Sequence, residues 1–251
     1  MQSFLSYLGG KSLLAKKIIP KMPEHTCYCE VFAGAAWMLF KKEESKVEII
    51  NDINQDLVTL YRVVKYHVDE FARYFRYILI ARDEFDRFLA ENPESLTDIQ
   101  RAARFYYLLK TGFASKVYKQ NFSVSTVKKS RINLLRLEEE LSEIHLRLSR
   151  VYIENMSYQR CIEKYDRPHT LFYIDPPYYG CEDYYGKSIF YREDFIKLRD
   201  LLSAIKGKFI MSINDVDEIR QLYREFIIEE VETVYQVSQK KKVVELLIRN
   251  Y

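Results

Sequence analysis

"LFYIDPPYYGCEDYY", residues 171–185, runs strand-forming residues into Asp175 and then stops them with two prolines. Proline offers no ladder N–H, so two in succession end a regular strand. Asp175 therefore stands at the tip of a buried strand. Four tyrosines follow within the eight residues 178–185. A carboxylate at a strand tip with rings behind it makes a poor core and a good pocket wall.

Outward from this stretch, further β-rich runs appear. They are "CYCEVF" (27–32), "KVEIIND" (46–52), "VYIENM" (151–156) and "KFIMSIND" (208–215). "FIIEEVETVYQV" (226–237) and "VVELLIRNY" (243–251) flank three lysines and read as a terminal hairpin. Helical patterns lie between most of them, at 35–42, 54–66, 192–205 and 215–223. Strands alternating with helices predict an α/β sheet covered on both faces. The alternation breaks between about residues 66 and 150. Residues 67–110 read as helical, and 131–149 as a strongly periodic helix with Leu134, Leu137, Leu141, Ile144 and Leu148 on one side. Residues 110–131 read as a loop or hairpin protruding from these helices.

The 251 residues suffice for one large domain or one domain with a sizeable insertion. The net charge is only +3, but its distribution is uneven. Ile99 to Leu137 holds nine Lys and Arg and no acid, which leaves a balance of −6 elsewhere. A basic block on an acidic remainder predicts a surface for a polyanion. The four cysteines, at 27, 29, 161 and 181, fit no zinc spacing, and a reduced, cytoplasmic setting is expected. No signal peptide or long apolar run is visible, so neither secretion nor a membrane span is expected.

Three more stretches carry chemistry. "CEVFAGAAW" leads a strand through small residues into a helix, where backbone can approach a ligand and free N–H groups meet an anion. Alone it equally describes a tight turn. "EIINDIN" ends a strand on Asp52, where nucleotide-binding sheets hold ribose hydroxyls; an N-cap for the next helix is the rival reading. "YLGGKSLLAKKII" sets Lys11 and a helix start after two glycines. In "DPPY", the Asp175 carboxylate and the Pro176 carbonyl would each accept a hydrogen from a planar exocyclic amine. That moves the nitrogen toward tetrahedral geometry and stabilises its developing charge. Pro177 rigidifies the turn, and Tyr178 would stack on the base. This reading requires Asp175, Phe32 and Asp52 to share one cavity.

The order "YLGGK", "EVFAGA", "NDIN", basic insert and "DPPY" resembles the Dam-like class of DNA adenine-N6 methyltransferases over essentially the whole chain. The resemblance implies a Rossmann-like class I methyltransferase sheet, mostly parallel and seven-stranded with a terminal antiparallel hairpin. Residues 1–66 and 151–251 would form the catalytic domain. Residues 67–150 would form an inserted, mainly helical target-recognition subdomain. It implies S-adenosylmethionine as donor, a flipped adenine in duplex DNA as substrate, no metal, a monomer, and a bacterial or phage origin. A cognate restriction endonuclease would be a functional, not physical, partner. By position, Tyr7 and Lys11 match contacts to the donor's methionine end. Phe32, Ala33, Gly34 and Ala35 match its loop, Asp52 its ribose and Asn155 its adenine. Asp175 matches the acid that touches both donor and target. Lys116, Lys119, Lys128, Lys129 and Arg131 are the expected DNA contacts. Two departures stand out. Val31 replaces the family's proline, and Ala36 replaces its second glycine. The insert's polar residues do not carry GATC specificity over. Amine methylation on cytosine N4 or RNA, and a catalytically silent DNA-binding module, remain as alternatives.

Overall fold

Among the described residues, seven strands form one sheet in the computed structural model, which describes residues 1–5, 11–127, 130–182, 189–236 and 240–251. They are β1 (Cys27–Glu30), β2 (Val47–Asn51), β3 (Tyr152–Glu154), β4 (Thr170–Ile174), β5 (Lys208–Asn214), β6 (Ile227–Gln236) and β7 (Lys240–Arg249). The order is β3-β2-β1-β4-β5-β7-β6. β1 to β5 run parallel, and β7 is antiparallel to both β5 and β6. This is the mostly parallel sheet with an end hairpin that the sequence predicts.

The strands are apolar because they are covered twice. Every residue of β1 and β4 is buried. Alternation then sorts side chains by face. Tyr28, Leu171 and Tyr173 join one hydrophobic cluster, and Cys29, Phe172 and Ile174 join the other. The first face carries α1 (Ala15–Ile18), α2 (Trp37–Lys41) and α3 (Gln55–Tyr66); the second carries α8 (Tyr158–Tyr165), α9 (Arg192–Ala204) and α10 (Asp217–Leu222). Among the described residues, no helix is long and apolar enough to cross a membrane.

The region expected to be an insert carries α4 (Val68–Phe75), α5 (Arg82–Ala90), α6 (Asp98–Thr111) and α7 (Leu134–Leu148). A capping box between Thr97 and Gln100 starts α6. Phe71 and Phe75 meet Tyr106 edge-on at 5.6 and 5.2 Å. The insert shares its core with the sheet, for one cluster runs from Leu60 of α3 through Tyr106 to Leu141 of α7. The helical reading of 67–110 is interrupted at 76–81. There the Tyr107 hydroxyl donates to the Leu79 carbonyl at 2.9 Å and accepts the Ala81 N–H at 3.2 Å. The loop beyond α6 has only a minimal hairpin base: Phe113 N–H donates to the Asn121 carbonyl (2.8 Å) and Ser123 N–H to the Thr111 carbonyl (2.9 Å).

A buried ion network fastens the insert to the sheet. Glu48 on β2 is held by Lys42 on one oxygen and by Arg147 of α7 on the other. Arg147 also donates to the Leu39 carbonyl at 2.9 Å. Burial pushes the Glu48 carboxyl up, but hydrogen bonds from Arg147, Lys42 and the Ser45 amide outweigh it, and its pKa is lowered. Arg147→Ala should cost about 3 kcal/mol at neutral pH, read from the denaturation midpoint. A carboxylate with a depressed folded pKa stabilises above its unfolded pKa and stops doing so as pH falls. The gap between wild type and variant should therefore close toward acid.

Candidate active site

The chain passes β1, β2 and β3 in one direction across the sheet and β4 and β5 in the other. Open α/β sheets bind ligands beyond the carboxyl ends of the strands at this reversal. A cavity opens there with about 1060 Å³ of empty space, its mouth included. Glu30 ends β1, Asp52 follows β2 and Asp175 follows β4, and all three line it. Phe32, Ala33, Gly34, Ala35, Lys11 and Pro177 line it as well.

Each wall has a local cause. Gly34 takes a left-handed φ of 48°, and its N–H donates to Asp52 Oδ2 at 2.9 Å. The other Asp52 oxygen accepts the Asn54 N–H at 2.9 Å. Burial raises the Asp52 pKa, and the amides of Asn54, Gly34 and Ile53 work against that rise. Asn54, not Asp52, caps α3, accepting the Leu57 N–H at 3.2 Å. That frees Asp52 for the cavity. Ala36, where the family has glycine, sits at φ 49° and is fully buried. The position calls for left-handed backbone, which glycine takes without strain and alanine does not.

Asn51, which sequence reading passed over, ties the strand tips together. Its amide donates to the carbonyls of Val31 (3.0 Å) and Met156 (3.1 Å) and accepts the Met156 N–H at 3.0 Å. Asn155 is exposed and does not line the cavity. It donates to the carbonyls of Asp52 (2.8 Å) and Ile53 (3.2 Å), and its neighbours Met156 and Ser157 form the wall instead. Aromatic rings complete the lining. Phe32 stacks on Tyr158 with centroids 5.7 Å apart, and Phe190 meets Phe32 edge-on at 6.0 Å. Phe32 is more than a hundred residues from Tyr158 and from Phe190 in the sequence, so no local motif announces the slot.

The "DPPY" turn is clamped. The Tyr179 N–H donates to Asn214 Oδ1 at 2.9 Å, and Asn214 Nδ2 donates back to the Tyr179 carbonyl at 3.1 Å. Gly180, at φ 83°, closes a turn in which the Cys181 N–H reaches the Tyr178 carbonyl at 2.9 Å. Asp175 keeps 20% of its side chain open. Its Oδ1 lies 3.2 Å from Lys11 Nζ and accepts from Ser212 Oγ at 3.3 Å. Lys11 is almost wholly buried and also donates to Glu245 Oε2 at 2.8 Å and to the Tyr178 hydroxyl. Tyr178 thus lies against Lys11, and neither it nor Pro176 lines the cavity. Burial pushes Asp175 up to about 6, with Lys11 opposing the rise and Glu245 adding to it. Burial pushes Glu30 up to about 8, against hydrogen bonds from the Leu39 amide and the Tyr28 hydroxyl.

Tyr7, Lys128 and Lys129 lie outside the described residues. Lys116, Lys119 and Arg131 fall on the loop after α6, away from the cavity. The basic block is partly internal. Arg101 pairs with Asp56, and Arg104 donates to the Phe88 carbonyl at 2.6 Å.

This strand order, with a cavity lined by acids at three strand tips, is a Rossmann-like fold of the methyltransferase class. The chain belongs to the D12 class of N6 adenine-specific DNA methyltransferases, whose family model matches residues 7–237. It is 27% identical to the type II methyltransferase M.CviBI of Paramecium bursaria Chlorella virus NC1A, over the full length of both chains. M.MjaIII of Methanocaldococcus jannaschii is 28% identical, over all of this chain and 99% of its own. The DNA adenine methylase of Escherichia coli K12 is 31% identical over 45% of this chain and 41% of its own. The protein is an adenine-specific DNA methyltransferase with a Rossmann-like fold.

Proposed function

We propose that the cavity binds S-adenosylmethionine and that Asp175 presents the N6 amine of an extruded adenine to it. The observation that carries this reading is the convergence of Glu30, Asp52 and Asp175 on one aromatic-lined cavity. The donor has a cationic end, a ribose diol and a planar base. The cavity offers acids near one another, an acid fixed by two backbone amides, and the slot of Phe32, Tyr158 and Phe190. When bound, the donor supplies an electrophilic methyl group on a sulfonium.

The protein's residues do the rest. Asp52 holds the ribose hydroxyls. Asp175, oriented by Lys11 and Ser212, accepts one amine hydrogen. The Pro176 carbonyl, next to Asp175 but outside the cavity lining here, would accept the other once the base enters. These bonds stabilise positive charge on the nitrogen as it becomes a nucleophile. The adenine must leave the stack to arrive there, at a cost of a few kcal/mol. Tyr178 would stack on it after leaving Lys11. The spare proton passes to solvent or Asp175. The substrate is duplex DNA, met through the basic loop after α6, and the setting is the cytoplasm. Asn155 supports the donor site by holding the Asp52–Ile53 backbone.

Methylated DNA digested to nucleosides tests the reading by mass spectrometry. N6-methyladenine is expected; N4-methylcytosine or a methylated ribonucleoside would overturn the substrate. A second expectation concerns protons. Glu30, with a pKa raised to about 8, is mostly protonated at pH 7 in the free protein. A cation bound beside it favours the carboxylate and expels that proton. Calorimetry with S-adenosylmethionine at pH 7, in buffers of different ionisation enthalpy, should show net proton release. Glu30→Gln should remove that release.

A further inference from the structure

A second cleft lies at the base of the loop after α6, apart from the first cavity. Lys110, Ser123, Ser130 and Arg131 line it, with Ile80 and Phe122 as apolar wall. Lys110 lies in the last turn of α6 with its ammonium 5.3 Å from the Tyr106 ring centre. Among the described residues the ammonium makes no hydrogen bond and no ion pair. Burial lowers its pKa, while Glu140 opposes that fall and Arg131 adds to it. This half-buried ammonium feels Glu140 as an opposite charge but makes no direct ionic contact, so an anion in the cleft would be its first close counter-charge. Arg131 is fixed by bonds from one nitrogen, to the Gly112 carbonyl at 3.3 Å and to Ser115 Oγ at 3.0 Å. Both left-handed non-glycine residues at this corner, Ala114 and Ser115, bend the loop so that Ser115 meets Arg131.

We propose that this cleft seats one backbone phosphate of the substrate DNA, with Lys110 and Arg131 as its cationic walls and the serine hydroxyls as further donors. The inference rests on the DNA-methyltransferase reading and adds a positioning contact to it. Two cations with hydroxyl donors select an anion, and an anionic oxygen supplies the ionic contact that Lys110 lacks. The absence of any acid from Ile99 to Leu137 keeps the approach attractive to a polyanion. A phosphate held here sets register on the duplex and carries no sequence information.

The test measures wild-type and Lys110→Gln binding to duplexes with and without methylation targets, across a salt series. Lys110→Gln should weaken every duplex alike, about three- to tenfold at moderate salt. The slope of log affinity against log salt should become shallower by ~0.9, the value for one lost phosphate contact. S-adenosylmethionine affinity should be unchanged. Ser123→Glu, which sets a carboxylate at the cleft, should weaken binding at least as much, and it serves as the reporter if Lys110→Gln fails to fold. An unchanged affinity and slope in the folded variant overturns the cleft while leaving methylation standing. So does a loss confined to one recognition sequence, or saturable binding of inorganic phosphate with no effect on DNA. A wild-type protein that neither binds nor methylates DNA overturns both readings together.

Discussion

Asp175→Asn is expected to leave a folded protein that transfers methyl groups at least ~100-fold more slowly than the wild type. Asparagine keeps the shape and one acceptor oxygen but loses the negative charge that stabilises the attacking nitrogen. Single-turnover assays with saturating donor and DNA separate this from weakened binding. The fold should not suffer, and the sign can be worked out. Asp175 has a folded pKa of about 6, above the ordinary value of 3.8. Its contribution to stability is therefore greatest at acid pH and declines as pH rises through about 6. At pH 7.5 the charged form is held at a cost, so removing the charge should leave stability within about 1 kcal/mol of the wild type. Wild-type kcat/KM should likewise fall on the acid side of about pH 6, where the acceptor becomes a neutral acid. The break in kcat should lie lower, because a bound cation favours the carboxylate. Near-wild-type turnover by Asp175→Asn would remove the role assigned to this side chain.

Lys11→Ala is expected to damage both stability and catalysis. The Lys11 ammonium, just before α1, lies within 3.2 Å of Asp175 at the tip of β4 and 2.8 Å of Glu245 inside β7. Removing it takes the shared positive charge from two acids, one of them almost wholly buried. Breaking a buried pair in this way costs about 3–5 kcal/mol. The pKa of Asp175 should rise further, so much of it is protonated at neutral pH and unable to accept the amine hydrogen as an anion. The stability loss should shrink as pH falls and Asp175 becomes neutral. Glu245→Gln in the Lys11→Ala background should recover a large part of the stability without restoring turnover. Denaturation midpoints for the four proteins of this cycle, measured at pH 5.5 and 8, read the coupling directly. A Lys11→Ala protein as stable and active as the wild type would show the ion cluster to be incidental.

The sheet was legible because strands covered on both faces must be apolar along their length, and "TLFYI" and "CYCE" are. Asp52 and Asp175 were legible because each interrupts such a run. Other parts lay beyond local pattern. The helix starting near Ala35 begins only at Trp37, since Ala36 turns left-handed to carry the loop past the cavity. The break at 76–81 depends on Tyr107, a hydroxyl more than twenty residues along the chain. Lys11 and Glu245 pair across 234 residues, so neither signals the other in sequence. The basic run through Ile99–Leu137 mixes two uses. Arg101 and Arg104 brace the insert, whereas Lys110 and Arg131 line a cleft, and only contacts distinguish them.

The central claim is that one cavity at the strand tips presents donor and target amine to Asp175. A crystal structure of the protein with a non-methylating donor analogue and a short target duplex tests it most directly. The account predicts ribose hydroxyls on Asp52, and an extruded adenine whose N6 is hydrogen-bonded to Asp175 and the Pro176 carbonyl. A donor lodged away from Asp52, or a target base whose amine meets neither acceptor, would contradict it.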